Sequence, residues 1–304
     1  MDKKTKKEAI VLMMASAACF SAMQLSSSLC AKIPAMEQVF FRNVMCLALY
    51  ALVWRKGISV LGTRQQQPLL WAWSVCGCLN VVFLFIAAKT GDQGSLMIIG
   101  RTSGFLVVIL AAVVLRERVG REQYLAVLLA IGGGILTVAP GGGLSGDGFT
   151  FTMAALSSLF SALASVCLGM LKNKVHALTV AIHFSAVSLL MSAPFLLTDF
   201  TVPDGRQWIC LAGIGLFGGL GQLTQMWAYE RALVGEINIY GYSGILFSML
   251  FGWLFLGERV TAAAAVGGCL VIGAGVWSYL AARRQEILPE SGELQNSKRL
   301  EDRH

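Results

Sequence analysis

Apolar residues in this chain come in long unbroken runs, not in the alternation of a strand or the narrow stripe of a surface helix. Eight stretches hold no charged residue at all: 9–31, 65–88, 123–146, 148–171, 175–198, 207–229, 237–257 and 260–282. Each reaches the roughly 20 residues that an α-helix needs to cross a bilayer. Stretches 35–54 and 93–115 reach that length when each is allowed one internal arginine, Arg42 and Arg101, and the first also Glu37 at its start. The pattern predicts an all-α integral membrane protein of ten transmembrane helices with short loops, leaving no room for a soluble catalytic domain. The first run follows Lys3, Lys4, Lys6 and Lys7 but is too long for the apolar core of a signal peptide, and nine more runs follow, so it is expected to remain as a helix.

Composition agrees, since 56% of the 304 residues are hydrophobic and 13% charged, where soluble domains carry about 25% charge. The remaining charges are unevenly placed. With the N-terminus inside, 18 of the 24 Lys and Arg fall on the inner side and four, Lys32, Lys89, Arg206 and Arg259, on the outer side. The excess of loop cations on the inner side predicts cytoplasmic termini and a multi-pass protein of the cell inner (plasma) membrane. The net charge of +7 then reflects topology and calls for no nucleic acid. Residues 283–304 are charged and lack apolar periodicity, so a disordered cytoplasmic tail is expected. All eight cysteines fall within spans without metal-ligand spacing. Neither a metal nor another cofactor is expected.

The chain also repeats itself. A shift of 141 residues superimposes Ala87 on Ala228, Gly94 on Gly235, Ile98 on Ile239 and Gly100 on Gly241. It also places Glu117, Arg118 and Val119 on Glu258, Arg259 and Val260, and Gly132 on Gly273. A shift of 140 pairs Phe20, Ser21 and Ala22 with Phe160, Ser161 and Ala162. The unit holds five spans, an odd number, so the second copy enters the membrane from the opposite side. Inverted repeats of this kind are characteristic of secondary transporters, whose halves exchange conformations about a central site. The expected organisation is a first repeat over 9–139, an outer linker at 140–148 and a second repeat over 149–282.

The doubled Leu115-Arg116-Glu117-Arg118-Val119 and Leu256-Gly257-Glu258-Arg259-Val260, each followed by a glycine-spaced apolar helix, resemble the EamA domain of the drug/metabolite transporter superfamily. The opening Glu37, Phe40, Phe41, Arg42 of the second span is similar to the same family. The resemblance covers about residues 9–282 and implies two inverted EamA units that move small metabolites. Many members carry a proline 13 residues before the motif glutamate, where this chain has Gly104 and Ile245. A proline-broken helix is therefore not expected.

Candidate chemistry rests on polar residues inside the spans. Arg101 and Arg42 lie about 10 to 12 Å below the outer surface at 1.5 Å per residue, and no acidic residue lies in the interior of a span. A substrate carboxylate or phosphate is the natural counter-charge for a guanidinium there. The repeat pairs Arg42 with His183 and Arg101 with Tyr242, weaker hydrogen-bonding equivalents on the inner half. His183 is also the one group well inside a span that titrates near neutrality, and with no interior acid a facilitator or exchanger is the simpler expectation. Gln24, Asn80, Gln222, Gln225, Trp227 and Tyr240 complete the candidate substrate site, while Glu117, Arg118, Glu258 and Arg259 are expected to fix interhelical turns. Serine and glycine stripes read as packing seams.

These features favour a secondary transporter of a small anionic or zwitterionic metabolite, working by alternating access in the lipid bilayer. A membrane enzyme would need histidines and acids clustered at one depth, and the sequence shows none. Efflux of neutral or cationic compounds and a non-transporting scaffold or receptor stay open. So do import and export, and a monomer and a homodimer.

Overall fold

The computed structural model describes residues 3–30, 32–53, 59, 62–88, 100, 103–116, 120–138, 148–171, 174–198, 200–257, 262–263, 265–278 and 280. Ten helices follow the ten apolar runs: α1 Lys3–Leu29, α2 Ala35–Val53, α3 Gln67–Ala88, α4 Ser103–Val114, α5 Arg121–Val138, α6 Gly148–Leu171, α7 Ala177–Ser192, α8 Gly205–Arg231, α9 Ser243–Phe251 and α10 Ala265–Ser278. No strand occurs among the described residues. Most of the linker placed at 140–148 and all of the tail at 283–304 lie outside them, and Gly148 itself opens α6.

The surface is apolar, and polar side chains are buried among an apolar core. Leu52, Val113, Leu190, Leu197 and Ile209 are between 69% and 89% exposed, whereas Ser16, Ser74, Asn43, Ser185 and Glu37 are buried. Water would not tolerate that distribution over so many helices, but hydrocarbon does, because lipid tails solvate leucine as well as another helix would. Five helical stretches among the described residues are long and apolar enough to cross a membrane on their own composition.

Helix pairing carries the duplication. α1 packs on α8 as α3 packs on α6, α1 on α9 as α4 on α6, and α2 on α8 as α3 on α7, with α2 and α7 packed on each other. Replacing each helix of the first five by its counterpart in the second five maps this set of contacts onto itself. The two repeats are thus related by a pseudo-two-fold axis that passes between α2 and α7.

The repeated motif has a backbone cause. Arg116 and Gly257, which coincide under the 141-residue shift, both have positive φ, 53° and 68°. Both stand just past the last helical residues of their segments in the left-handed region, which costs a non-glycine residue roughly 1–2 kcal/mol. Gly257→Ala is therefore expected to lower stability by about 1 kcal/mol, and Arg116→Gly to raise it by somewhat less, since glycine loses more chain entropy. Thermal unfolding in detergent checks both signs.

The ninth span is not one continuous α-helix. A single turn at Val234–Ile237 leads into a 3-10 segment at Asn238–Tyr242, then α9, then a widened π turn at Gly252–Leu256. The interruption arises without proline. Gly241 lies within it and Gly244 follows it, and Ser21 of α1 donates its hydroxyl to the Gly244 carbonyl at 2.9 Å. A side chain from a neighbouring helix thereby supports a carbonyl at the break, as irregular backbone inside a membrane requires.

Candidate substrate site

Arg42 stands on the α2 face turned to α8. Its Nη2 donates to Gln222 Oε1 at 3.2 Å, and its Nε is buried with no hydrogen-bond partner among the described residues. Gly218, one turn before Gln222, makes the room: a Cβ there would stand 2.8 Å from Arg42 Nε and 3.0 Å from the sulfur of Met23 on α1. The same seam continues along α2, with Cys46 donating to the Gly215 carbonyl at 3.5 Å. No acidic side chain lies within ion-pair distance of Arg42 among the described residues. The guanidinium, at the junction of α1, α2 and α8, keeps a charge that the described protein does not neutralise, and burial makes such a charge expensive.

His183 occupies the matching place in the other half. It is buried on α7, hydrogen-bonded through Nδ1 to Ser74 Oγ of α3 at 2.9 Å, and the Trp71 ring meets it edge-on with centroids 5.1 Å apart. The correspondence extends to the glycines, because Gly77 and Gly218 coincide under the 141-residue shift. A Cβ at Gly77 would stand 2.6 Å from the Phe184 ring. Each half therefore inserts a large side chain of its second helix against a glycine of the third helix.

The other candidates are distributed more widely. Asn80 accepts a hydrogen bond from Ser157 Oγ at 2.8 Å across the α3–α6 contact. Gln225 is half-buried on α8, and Gln24 is exposed on α1 next to Met23. Trp227 is half-buried against the main core, and its carbonyl accepts from Arg231 Nη1. Tyr240 bridges two apolar clusters. Tyr242 lies in the cluster formed by Val108, Val127, Ile245 and Val271, its ring filling the space left by Gly104. Arg101, Glu117, Arg118, Glu258 and Arg259 lie outside the described residues.

Glu37 adds a feature that its position at the start of a span conceals. Its side chain is 1% exposed, Oε2 accepts the Thr201 N–H at 3.0 Å, and Oε1 has no partner among the described residues. The residues before α8 fold over the first turn of α2 and close it off. Ser74, Trp71 and Gly218 were likewise not singled out as ligand contacts; the Gly77–Gly218 coincidence was the available signal.

Ten apolar helices in two repeats, packed about a pseudo-two-fold axis with buried polar side chains near it, define a membrane carrier. The profile of the EamA-like transporter family matches residues 7–139 and 148–280. The chain belongs to that family and is a multi-pass membrane transporter. It is 32% identical over 271 residues to the pseudopaline exporter CntI of Pseudomonas aeruginosa, covering 88% of this chain and 94% of that one. An uncharacterized transporter of Helicobacter pylori is 26% identical over 263 residues, covering 83% and 87%. Human solute carrier family 35 member G1 is 26% identical over 254 residues, covering 78% of this chain and 69% of that protein. A solved crystal structure superimposes with a TM-score of 0.83 at 21% identity, covering 92% of this chain and 99% of the other, which is a likeness of fold.

Proposed function

We propose that this protein exports a small organic metabolite bearing an anionic group, anionic or zwitterionic overall, by alternating access about the α2–α7 axis. The observation that carries the reading is the Arg42 guanidinium, bonded to Gln222 on one side and otherwise unneutralised among the described residues. Guanidinium recognises carboxylate and phosphate with paired donors, so a substrate anion would supply the missing partner. Arg101, outside the described residues, would add a second cation on the outer half, and His183 would be the inner counterpart of Arg42. The exporter relative supports outward transport. The test is flux of radiolabelled amino acids and dicarboxylates through proteoliposomes, with choline as the cationic control. Flux of an anionic or zwitterionic compound that disappears with Arg42→Ala supports the reading; choline flux of equal size in wild type and Arg42→Ala overturns it.

The proposed orientation puts both termini in the cytoplasm, the two repeats over 9–139 and 149–282 and the linker 140–148 outside. A cysteine placed at position 142 of a cysteine-free protein is expected to react with an impermeant maleimide added to intact cells. Reaction confined to inside-out vesicles would reverse the assignment.

A further inference from the structure

The segments that follow the second helix of each repeat make matching contacts at opposite faces of the bundle. Glu37, the third residue of α2, is 1% exposed, and its Oε2 accepts the Thr201 N–H at 3.0 Å. Thr179, the third residue of α7, is likewise 1% exposed, and its hydroxyl donates to the Ser59 carbonyl. Under the 141-residue shift Ser59 falls on Phe200, whose carbonyl shares a peptide link with the Thr201 N–H. The first turn of each second helix therefore holds the equivalent peptide link of the opposite repeat, by its N–H where α2 begins and by its carbonyl where α7 begins. Flanking contacts correspond as well. The Thr63 N–H donates to Gln66 Oε1 at 2.9 Å and the Asp204 N–H to Gln207 Oε1 at 2.8 Å, and the same shift carries 63 and 66 onto 204 and 207. Gln66 Nε2 donates to the Lys174 carbonyl in the turn before α7, and Cys30 Sγ, in the turn before α2, to the Gln207 carbonyl at 3.5 Å.

We propose that Glu37 with Thr201 and Thr179 with Ser59 are paired gate latches, the first holding the carrier shut on the face where α2 begins and the second on the face where α7 begins. Resting on the alternating access read above, these are the bonds that the cycle must break in turn. Glu37 ties α2 to the segment leading into α8, and Thr179 ties α7 to the segment leading into α3, so each latch spans one of the two seams that the pseudo-two-fold axis exchanges. Both are made in this structure, so either face can be the one that opens. Each is a single hydrogen bond, whose net worth is small enough for the differential affinity of a ligand to overcome. Glu37 Oε1 has no partner among the described residues while the latch is closed, and release would bring both carboxylate oxygens to water. The contact recurs through unlike residues, a carboxylate in one repeat and a hydroxyl in the other. What the two halves share is thus the place of the contact and not an inherited side chain.

Two otherwise cysteine-free, full-length proteins report the two faces in lipid nanodiscs, where a soluble maleimide reaches both. One keeps Cys30, 1% exposed and pinned to the first turn of α8, and the other carries Leu70→Cys. Leu70 is fully buried beside the second latch: a Cβ at Gly62 would stand 3.2 Å from Leu70 Cδ1 and 3.7 Å from Thr179 Cγ2. Glu37→Ala should raise the labelling rate of Cys30 by about threefold to tenfold, the range that one net hydrogen bond controls, with no rise at Leu70→Cys. Thr179→Val should do the reverse. Glu37→Gln keeps an acceptor oxygen and Thr179→Ser keeps the hydroxyl, so each should lie closer to the parent than to the variant that loses the bond. Parent rates in Glu37→Ala or Thr179→Val overturn the latches. So does a rise at both reporters in either variant, which is what general loosening of the fold would give, and so do conservative variants that behave like the bond-deleting ones. Labelling needs no transport: flux with unchanged labelling removes the latches alone, and the expected labelling pattern without any flux removes the transport reading alone.

Discussion

Arg42→Ala is expected to reduce transport at least about 100-fold while leaving the protein folded. The bound anion would lose its paired donors at a half-buried guanidinium whose Nε is itself buried. Stranding a buried charge in this way costs about 3–5 kcal/mol, which converts to roughly two to nearly four orders of magnitude in affinity. Folding is spared because Arg42 holds no acidic partner among the described residues, so its removal strands no carboxylate there; the unmade bond is a single one to Gln222. Arg42→Lys should recover only part of the activity, since an ammonium supplies charge but not the planar fork. Gln222→Leu should fall between, at about tenfold, because it removes one hydrogen bond to a charged group and leaves the guanidinium itself in place. Initial rates of counterflow in proteoliposomes, with thermal unfolding of each variant in detergent, separate these effects. Wild-type rates in Arg42→Ala for an anionic or zwitterionic substrate would remove Arg42 from the site.

The helices were legible because the signal for a membrane span is length and apolarity, and both are local. The duplication was legible because identities such as Glu117 with Glu258 and Gly132 with Gly273 recur at one fixed shift; the left-handed turn that Arg116 and Gly257 share was not, because the two residues differ. Contacts across the bundle were a different matter. Arg42 and Gln222 could each be nominated for the energetic penalty of burying them, but nothing local joins residues that far apart to one another. Trp71 stands half exposed near a helix end, and nothing local announces that its ring also meets His183 edge-on. Glu37 reads as an end residue because nothing in α2 announces that the chain around Thr201 will cover it. Tyr242 reads as the inner counterpart of Arg101, but the structure wedges its ring into the gap at Gly104. The break in the ninth span escaped the usual sign, a proline, because glycines and a hydroxyl from α1 support it.

The correspondence between Gly77 and Gly218 yields the second large effect. Under the proposed alternating access, the α2–α8 and α3–α7 seams are exchanged by the pseudo-two-fold axis, so the opening of one is the counterpart of the closing of the other. Both seams are tight here, with a Cβ at Gly218 meeting Arg42 Nε at 2.8 Å and one at Gly77 meeting Phe184 at 2.6 Å. A leucine at either glycine crowds the side chains of the facing helix and favours separation of the two helices, since packed interiors resist overfilling at a cost of about 1–3 kcal/mol. Gly218→Leu should therefore favour the state in which α2 has parted from α8, and Gly77→Leu the opposite state. Both variants are expected to lose transport by about fivefold to more than a hundredfold, because a bias of about 1–3 kcal/mol makes the other state rarer by roughly that factor. Their accessibilities should differ in sign. A cysteine beside Arg42 should react faster from the outside in Gly218→Leu and slower in Gly77→Leu, and a cysteine beside His183 should show the reverse from the inside. If both leucines shifted both reporters in the same direction, the seams would not be exchanging, and the two halves would not be working as inverted copies of one mechanism.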